Sequence, residues 1–269
     1  MYTGVKDVQL TDQELADFYS GNLRYDLMLN EYLVLHDSTG KIVDKYKNEN
    51  GKIVKVKYKP FESKVLGKIK ARNDRQELFF DLLESGIPCI CVTGSAGTGK
   101  SFVSMSYALK ELDAGKYEKI VIVRNNAIVK DIDPIGATPG DEVEKMKFHC
   151  MWVADIVSDF YLDTLLNQKK LEMAYIGTLR SRSFSNSIIL INESQNLTSN
   201  LARLIISRVG ENSKIIWDFD TEQTDKNSYS KDNGMIALVE GLKGHQLVGM
   251  VELLEVERSE VAKLASLIK

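Results

Sequence analysis

The rhythm of hydrophobic and polar positions changes near residue 66. Beyond that point short, unbroken apolar runs alternate with longer stretches of helical spacing. The runs at 87–93 (IPCICVT), 119–124 (KIVIVR), 187–192 (SIILIN), 214–219 (KIIWDF) and about 247–254 (LVGMVELL) predict strands. Helices are predicted at about 73–84, 101–113, 142–164, 198–209 and 259–268. In the third of these, Trp152, Ile156 and Phe160 recur four apart and are expected to line a core face. A strand apolar at consecutive positions must be covered on both faces, so the pattern predicts an α/β fold with a parallel sheet flanked by helices. In such a fold ligands bind beyond the carboxyl ends of the strands.

The first 65 residues have a different texture. Thr11-Asp12-Gln13-Glu14 is a capping box opening a short helix through about Tyr19. Residues 31–36 read as a strand, Ser38-Thr39-Gly40 as a turn, 41–47 as a second strand and 52–59 as a third, with Asn50-Gly51 as the tight hairpin turn between them. In the third strand Lys55, Lys57 and Lys59 face one way and Val54, Val56 and Tyr58 the other, until Pro60 ends it. The expected organisation is a small β-rich N-terminal module, 1–65, followed by an α/β domain, 66–269.

Composition narrows the class without deciding it. The 269 residues are 43% hydrophobic and 27% charged, with a net charge of -3, so the whole molecule is not a strongly basic nucleic-acid binder. The N-terminus lacks the pattern of a secretory signal, and no apolar run approaches a membrane span; a cytoplasmic protein is expected. Cys89, Cys91 and Cys150 have no zinc or disulfide spacing and read as packed, reduced thiols.

Candidate chemistry begins where the first α/β strand runs into Gly94-Ser95-Ala96-Gly97-Thr98-Gly99-Lys100-Ser101. This fits G-x-x-x-x-G-K-[ST] between a strand and a helix. Glycines let the backbone curl so that successive N–H groups point inward at phosphate oxygens, and the helix that follows adds its positive end. Lys100 would bridge the β- and γ-phosphates, and the Ser101 hydroxyl would ligate Mg²⁺. A glycine-rich turn with an exposed lysine is the bland alternative.

The tips of other strands supply polar groups. A parallel strand beside the cradle strand is expected to carry the acid that holds a Mg²⁺-bound water, and the next acid to polarise the attacking water. Ile188 to Ile191 followed by Asn192-Glu193 has that form. Glu193 can act as general base. Asn192 carries no charge and should hold the aqua ion more weakly than a carboxylate, by about 1–2 kcal/mol. The alternative reading is that the pair merely caps the helix near Thr198. The next strand ends in Asp218-Phe219-Asp220-Thr221-Glu222-Gln223, where Asp220 and Gln223 could sense the γ-phosphate or orient water. Upstream, Gln76 could pair its amide with adenine.

The set resembles the PhoH-like (phosphate-starvation-inducible) ATPases, relatives of superfamily 1 helicase motors. The likeness covers Arg72, Asn73 and Gln76, the cradle, Arg124, GATPGDEVEK at 136–145, residues 171–196, SRVGENSK at 207–214, Asp220, Gln223 and Asp225, and Arg258-Ser259. Residues 8–62 look like the β-rich segment preceding the core in longer members. With no PIN-type nuclease domain in this sequence, the resemblance does not carry nuclease activity. The chain departs from the family pattern at Asn192, where Asp is usual, at Asn125, and at Asp218-Phe219, where Thr-Gly is usual. Asp218 could in principle supply the missing charge.

The resemblance implies a RecA-like P-loop core, ATP with Mg²⁺, and a homo-oligomeric ring, expected to be a hexamer. One motor core has no second domain to supply an arginine, so a neighbour could supply it in trans. Arg180, Arg182, Arg208 and Arg258 are candidates, and surface ion pairing is the ordinary role of each. The expected function is an ATP-hydrolysing, helicase-like motor or remodelling ATPase on single-stranded RNA or DNA, with the lysine-lined hairpin and its Tyr46 and Tyr58 as a possible contact. The alternatives are a P-loop phosphotransferase, or a nucleotide-binding assembly switch with little turnover.

Overall fold

The computed structural model describes residues 1–124, 150–220 and 232–257. The predicted helix at 259–268 and the residues Asn125, GATPGDEVEK, Gln223, Asp225 and Arg258 lie outside them.

Six strands form the central sheet: β7 (Cys89–Thr93), β8 (Lys119–Arg124), β9 (Leu171–Tyr175), β10 (Ser187–Ile191), β11 (Lys214–Phe219) and β12 (Val248–Glu252). Their order is β12-β7-β11-β10-β8-β9, and every pairing is parallel. Alternate side chains leave each strand on opposite faces. On one face Ile90, Val92, Ile120, Ile122, Ile188, Leu190 and Ile216 pack beneath α2 (Asp74–Glu84), α3 (Lys100–Asp113), α4 (Met151–Val157) and α5 (Asp159–Asn167). On the other, Val121, Val123, Ile189, Ile191, Ile215, Trp217 and Phe219 pack against α6 (Ser199–Ile206) and α7 (Gly234–Leu242). Strands apolar at consecutive positions are the sequence trace of these two cores. Cys89 and Cys91 share one face, and all three cysteines are buried and outside any disulfide.

β9 escaped the sequence reading because Leu171-Glu172-Met173-Ala174-Tyr175 alternates as an edge strand does, with Glu172 paired to Lys119 and Arg182. The long third helix is also corrected. Its described part breaks at Ser158, whose φ of 100° ends α4 and whose hydroxyl accepts from Tyr161 N to start α5. Trp152 and Ile156 pack half-buried on the core, but the break turns Phe160 outward, 82% exposed.

The first sheet has the order β1-β2-β3-β4, from β1 (Val5–Gln9), β2 (Tyr32–His36), β3 (Ile42–Glu49) and β4 (Lys52–Lys55). β1, absent from the sequence reading, pairs parallel to β2; the others are antiparallel. The capping box opens α1 (Asp12–Tyr19), and Asn50 and Gly51, both at positive φ, make the hairpin turn. β2 divides its side chains between two cores. Leu33 and Leu35 pack with Leu10 and Leu27, while Tyr32 and Val34 join the large core over α2. The boundary after residue 65 falls in the turn between β5 (Phe61–Ser63) and β6 (Gly67–Ile69), which pair antiparallel. Phe61 stacks on Phe80 of α2 at 4.0 Å between ring centroids. Tyr32 donates its hydroxyl to Asp81 at 2.8 Å, and the Asn30 amide donates to the Val248 carbonyl at 2.9 Å.

Candidate nucleotide site

The cradle leaves the carboxyl end of β7 and enters α3, whose first residue is Lys100. Two glycines are required by their surroundings. Gly94 has φ 148°, and a Cβ there would lie 2.4 Å from the Leu253 carbonyl oxygen. Gly99, at φ 92°, caps α3 in the left-handed region, and a Cβ would lie 2.9 Å from Gln76 Nε2. Ser95 O accepts from the Thr98 hydroxyl at 2.9 Å, and Gly97 O accepts from Glu257 N at 2.8 Å. Ala96 completes the loop. Lys100 is buried, and its Nζ donates to the carbonyls of Gly94 at 2.7 Å and Ser95 at 3.1 Å. The lysine therefore lies along the loop that is to hold phosphate.

Gln76 is buried behind this loop. Its Nε2 donates to Thr98 O at 3.0 Å, and its Oε1 accepts from Arg72 N at 2.9 Å. Both ends of the amide that the sequence assigned to adenine thus brace the cradle from behind. Asn73 caps α2 by accepting from Gln76 N and donates to Glu257.

β7 lies between β12 and β11, and β10 is one strand beyond β11. This differs from the expectation that the strand bearing Asn192-Glu193 adjoins the cradle strand. The consequence falls on Asp218. This residue sits opposite Val92 on β7 and is buried. Its Oδ2 accepts from the Ser101 hydroxyl and from Asn192 Nδ2, the latter at 3.4 Å. Burial pushes the Asp218 carboxyl up, Lys100 and the Ser101 hydroxyl pull it down, and Glu193 and Asp220 push it up again, leaving it at about 6.

Glu193 follows β10 at φ 55°, in the left-handed region that side chains other than glycine rarely adopt. Such strain persists where the surroundings impose it, often at functional sites. The Gln195 amide holds the carboxylate in place: Nε2 donates to Glu193 Oε2 at 2.6 Å, and Oε1 accepts from Asp220 N at 3.2 Å. Ser194 donates its hydroxyl to Asp218 O at 2.9 Å. The turn after β10 is thereby tied to the tip of β11. Helix capping does not account for Asn192 and Glu193, because Thr198 caps α6. Gln195 carries no role in the sequence reading, where it falls within residues 171–196; a glutamine two residues beyond the acid is the signal that points to it.

The residues brought together are therefore Lys100, Ser101, Asn192, Glu193, Asp218 and Asp220. The oxygens of all but Lys100 are hard ligands of the kind Mg²⁺ prefers. Among the described residues no three His, Cys, Asp or Glu side chains form a metal cage by themselves. An ion held here would need phosphate oxygens as further ligands, as is usual for nucleotide-bound Mg²⁺.

Of the candidate arginines, Arg180, Arg182 and Arg208 are described, and they stand elsewhere. Arg182 pairs with Glu172 and covers the Phe184 ring at 4.7 Å. Arg208 donates to the Arg180 carbonyl at 2.9 Å. Arg180 and Arg182 follow β9, four strand positions from β7, or about 19 Å at the usual strand spacing.

Three hairpin lysines are paired with acids, while Lys57 and Lys59 are exposed. Lys45 pairs with Asp74 and Glu77, Lys47 with Asp81 at 3.0 Å, and Lys55 with Asp44. Tyr46 packs on Phe18, and Tyr58 packs on Phe80 while accepting from Ala71 N at 2.8 Å. β4 ends at Lys55, short of the predicted residue 59. No helix among the described residues is long and apolar enough to cross a membrane.

Comparison with known proteins agrees with this geometry. The pattern of the family described as PhoH-like protein matches residues 68–268. Protein PhoH2 of Bacillus subtilis (strain 168) is 31% identical over 295 residues, covering 99% of this chain and 64% of that protein. Protein PhoH2 of Thermobispora bispora is 27% identical, covering 98% of this chain and 62% of that protein. Protein PhoH of Escherichia coli (strain K12) is 27% identical over 196 residues, covering 71% and 54%. The chain thus spans less than two thirds of the length of these relatives. With a phosphate cradle at the end of an all-parallel sheet and a family match across most of its length, the chain belongs to the PhoH-like family of ATP-binding P-loop proteins.

Proposed function

We infer that the chain hydrolyses ATP with Mg²⁺ and uses that hydrolysis to move along or remodel single-stranded RNA or DNA. The observation that carries the ATPase reading is the convergence at three strand tips. Lys100 and Ser101 stand at the end of β7, Asp218 at the end of β11, and Glu193 beyond β10, held by Gln195. Ser101, with Asp218 behind it, would hold Mg²⁺, which when bound neutralises charge on the β- and γ-phosphates. Lys100 would turn from the loop carbonyls to the phosphates. Glu193 would accept the proton of the attacking water. Asp220 and Gln223 would complete the surroundings of the γ-phosphate.

A ring of copies, most simply a hexamer, accounts for an arginine in trans. Arg180 and Arg182 are too far along the sheet to reach the cradle of their own chain, so a neighbour would present one of them, or Arg208 or Arg258, to the phosphates. The nucleic-acid part of the reading is supported by the helicase-like order of motifs. The hairpin adds little to it, because its lysines at 45, 47 and 55 are paired with acids and its tyrosines are packed, which leaves Lys52, Lys57 and Lys59 as exposed cations.

The test is ATP turnover with and without single-stranded RNA at low salt, for the native chain, Lys100→Ala and Glu193→Gln. The expected result is turnover raised by RNA, lost in Lys100→Ala, and lowered about a hundredfold or more in Glu193→Gln. Turnover that survives in Lys100→Ala refutes the ATPase. Turnover indifferent to RNA and DNA refutes the motor and leaves the ATPase.

A further inference from the structure

The tip of β10 carries an amide where a Mg²⁺ site needs charge, and the tip of β11 carries a buried carboxylate against the hydroxyl that would ligate the ion. We propose that Asp218, not position 192, is the acid that holds the magnesium site, and that Asn192 serves to orient it. The proposal rests on the nucleotide-binding reading above.

Topology is the first reason. β11 lies between β7 and β10, so its tip is the nearer of the two to Ser101 by one strand spacing, about 4.8 Å. A carboxylate there reaches the Ser101 hydroxyl directly. A side chain at 192 reaches only as far as Asp218.

Hydrogen-bond capacity is the second. A serine hydroxyl has one proton and two lone pairs. Because Ser101 gives its proton to Asp218, its lone pairs are left for a cation. The carboxylate thus fixes the hydroxyl in the orientation a metal ligand needs, and its negative charge adds to the field at the same point.

The identity of residue 192 is the third. Two carboxylates at a separation of 3.4 Å repel, and one would be driven to take up a proton. An amide at 192 removes that conflict and donates its N–H to Asp218. The site therefore holds one charge and one donor, with the charge moved one strand closer to the cradle. An uncharged residue at 192 is what an acid at 218 requires, and the site is not weakened by it.

The experiment measures metal binding, not turnover. Mn²⁺ replaces Mg²⁺ and is titrated into the full chain saturated with a non-hydrolysable ATP analogue, with free Mn²⁺ read by electron paramagnetic resonance. A fluorescent ATP analogue in EDTA reports nucleotide binding without metal. Asp218→Asn should weaken Mn²⁺ binding about tenfold, the difference between a charged and a neutral acceptor. Asn192→Asp alone should tighten it by less than about threefold, because the added acid is opposed by Asp218. The exchange Asn192→Asp with Asp218→Asn should recover only part of the loss, because an acid at 192 stands one strand farther from Ser101, and metal-free nucleotide binding should be the same in all four proteins. The proposal is overturned if Asp218→Asn binds Mn²⁺ as tightly as the native chain. It is also overturned if Asn192→Asp alone gains about tenfold or more, since that places the natural acid at 192. A native chain that binds no nucleotide in either assay refutes the proposed function as a whole.

Discussion

Lys214 opens the central strand β11 and is 3% exposed, which few lysines are. Its Nζ donates to the carbonyls of Leu83 at 2.7 Å and Ser85 at 3.0 Å, at the end of α2, and lies 5.2 Å from the centre of the Tyr107 ring. Burial, with Lys116 and Lys110 adding to it and Glu111 and Glu84 opposing, lowers its pKa from 10.5 to about 7. A tenfold change in proton affinity is about 1.4 kcal/mol, so charging this lysine costs the folded chain roughly 4–5 kcal/mol relative to the unfolded one. The folded state binds fewer protons between about pH 7 and 10.5, so stability rises with pH across that window. Below about pH 7 the penalty is fully present. The perturbation is Lys214→Met, which keeps the length of the side chain and removes the charge. The variant leaves two carbonyls without their donor, at a cost of roughly 1–3 kcal/mol that does not depend on pH. Urea unfolding of both proteins at about pH 7.5 and 9.5 should show the native chain gaining about 2 kcal/mol on the variant as pH rises. A difference constant across that range would refute the reasoning. It would mean that two carbonyls at a helix end and an aromatic face suffice to keep a buried ammonium charged.

Three further outcomes test the packing around the site. Gly94→Ala should abolish nucleotide binding and destabilise the fold by about 2 kcal/mol or more, because the new Cβ meets the Leu253 carbonyl at 2.4 Å; fluorescence titration and thermal unfolding read the two effects. Gln195→Leu should lower ATP turnover about tenfold or more while leaving ATP affinity in place, because it releases the Glu193 carboxylate and not the cradle; steady-state kinetics beside equilibrium binding separate the two. Phe61→Ala should cost about 3–5 kcal/mol in a denaturation experiment, since the ring is buried, stacked on Phe80 and beside Tyr107.

What the sequence determined by itself is whatever short-range physics specifies. The glycine spacing of the cradle must curl a backbone between a strand and a helix. The unbroken apolar strands require two covered faces, and the capping box and Asn50-Gly51 act within a few residues. The limits of such reading show at particular places. Trp152, Ile156 and Phe160 keep helical spacing, but one positive φ at Ser158 puts Phe160 in solvent. The hairpin reads as lysine-lined until α2 brings its acids against Lys45 and Lys47. Gln76 looks like a reader of adenine until its amide is seen behind the loop.

The placement of charge was decided only by tertiary structure. Ser101 and Asp218 are 117 residues apart, and they meet because β11, not β10, pairs with β7. Strand order is set by how whole layers pack, and it leaves no periodic trace in any one strand. The sequence could therefore show that Asn192 lacks a charge and that Asp218 has one. Only the order of the strands shows which of the two positions stands against the hydroxyl that a metal ion would share.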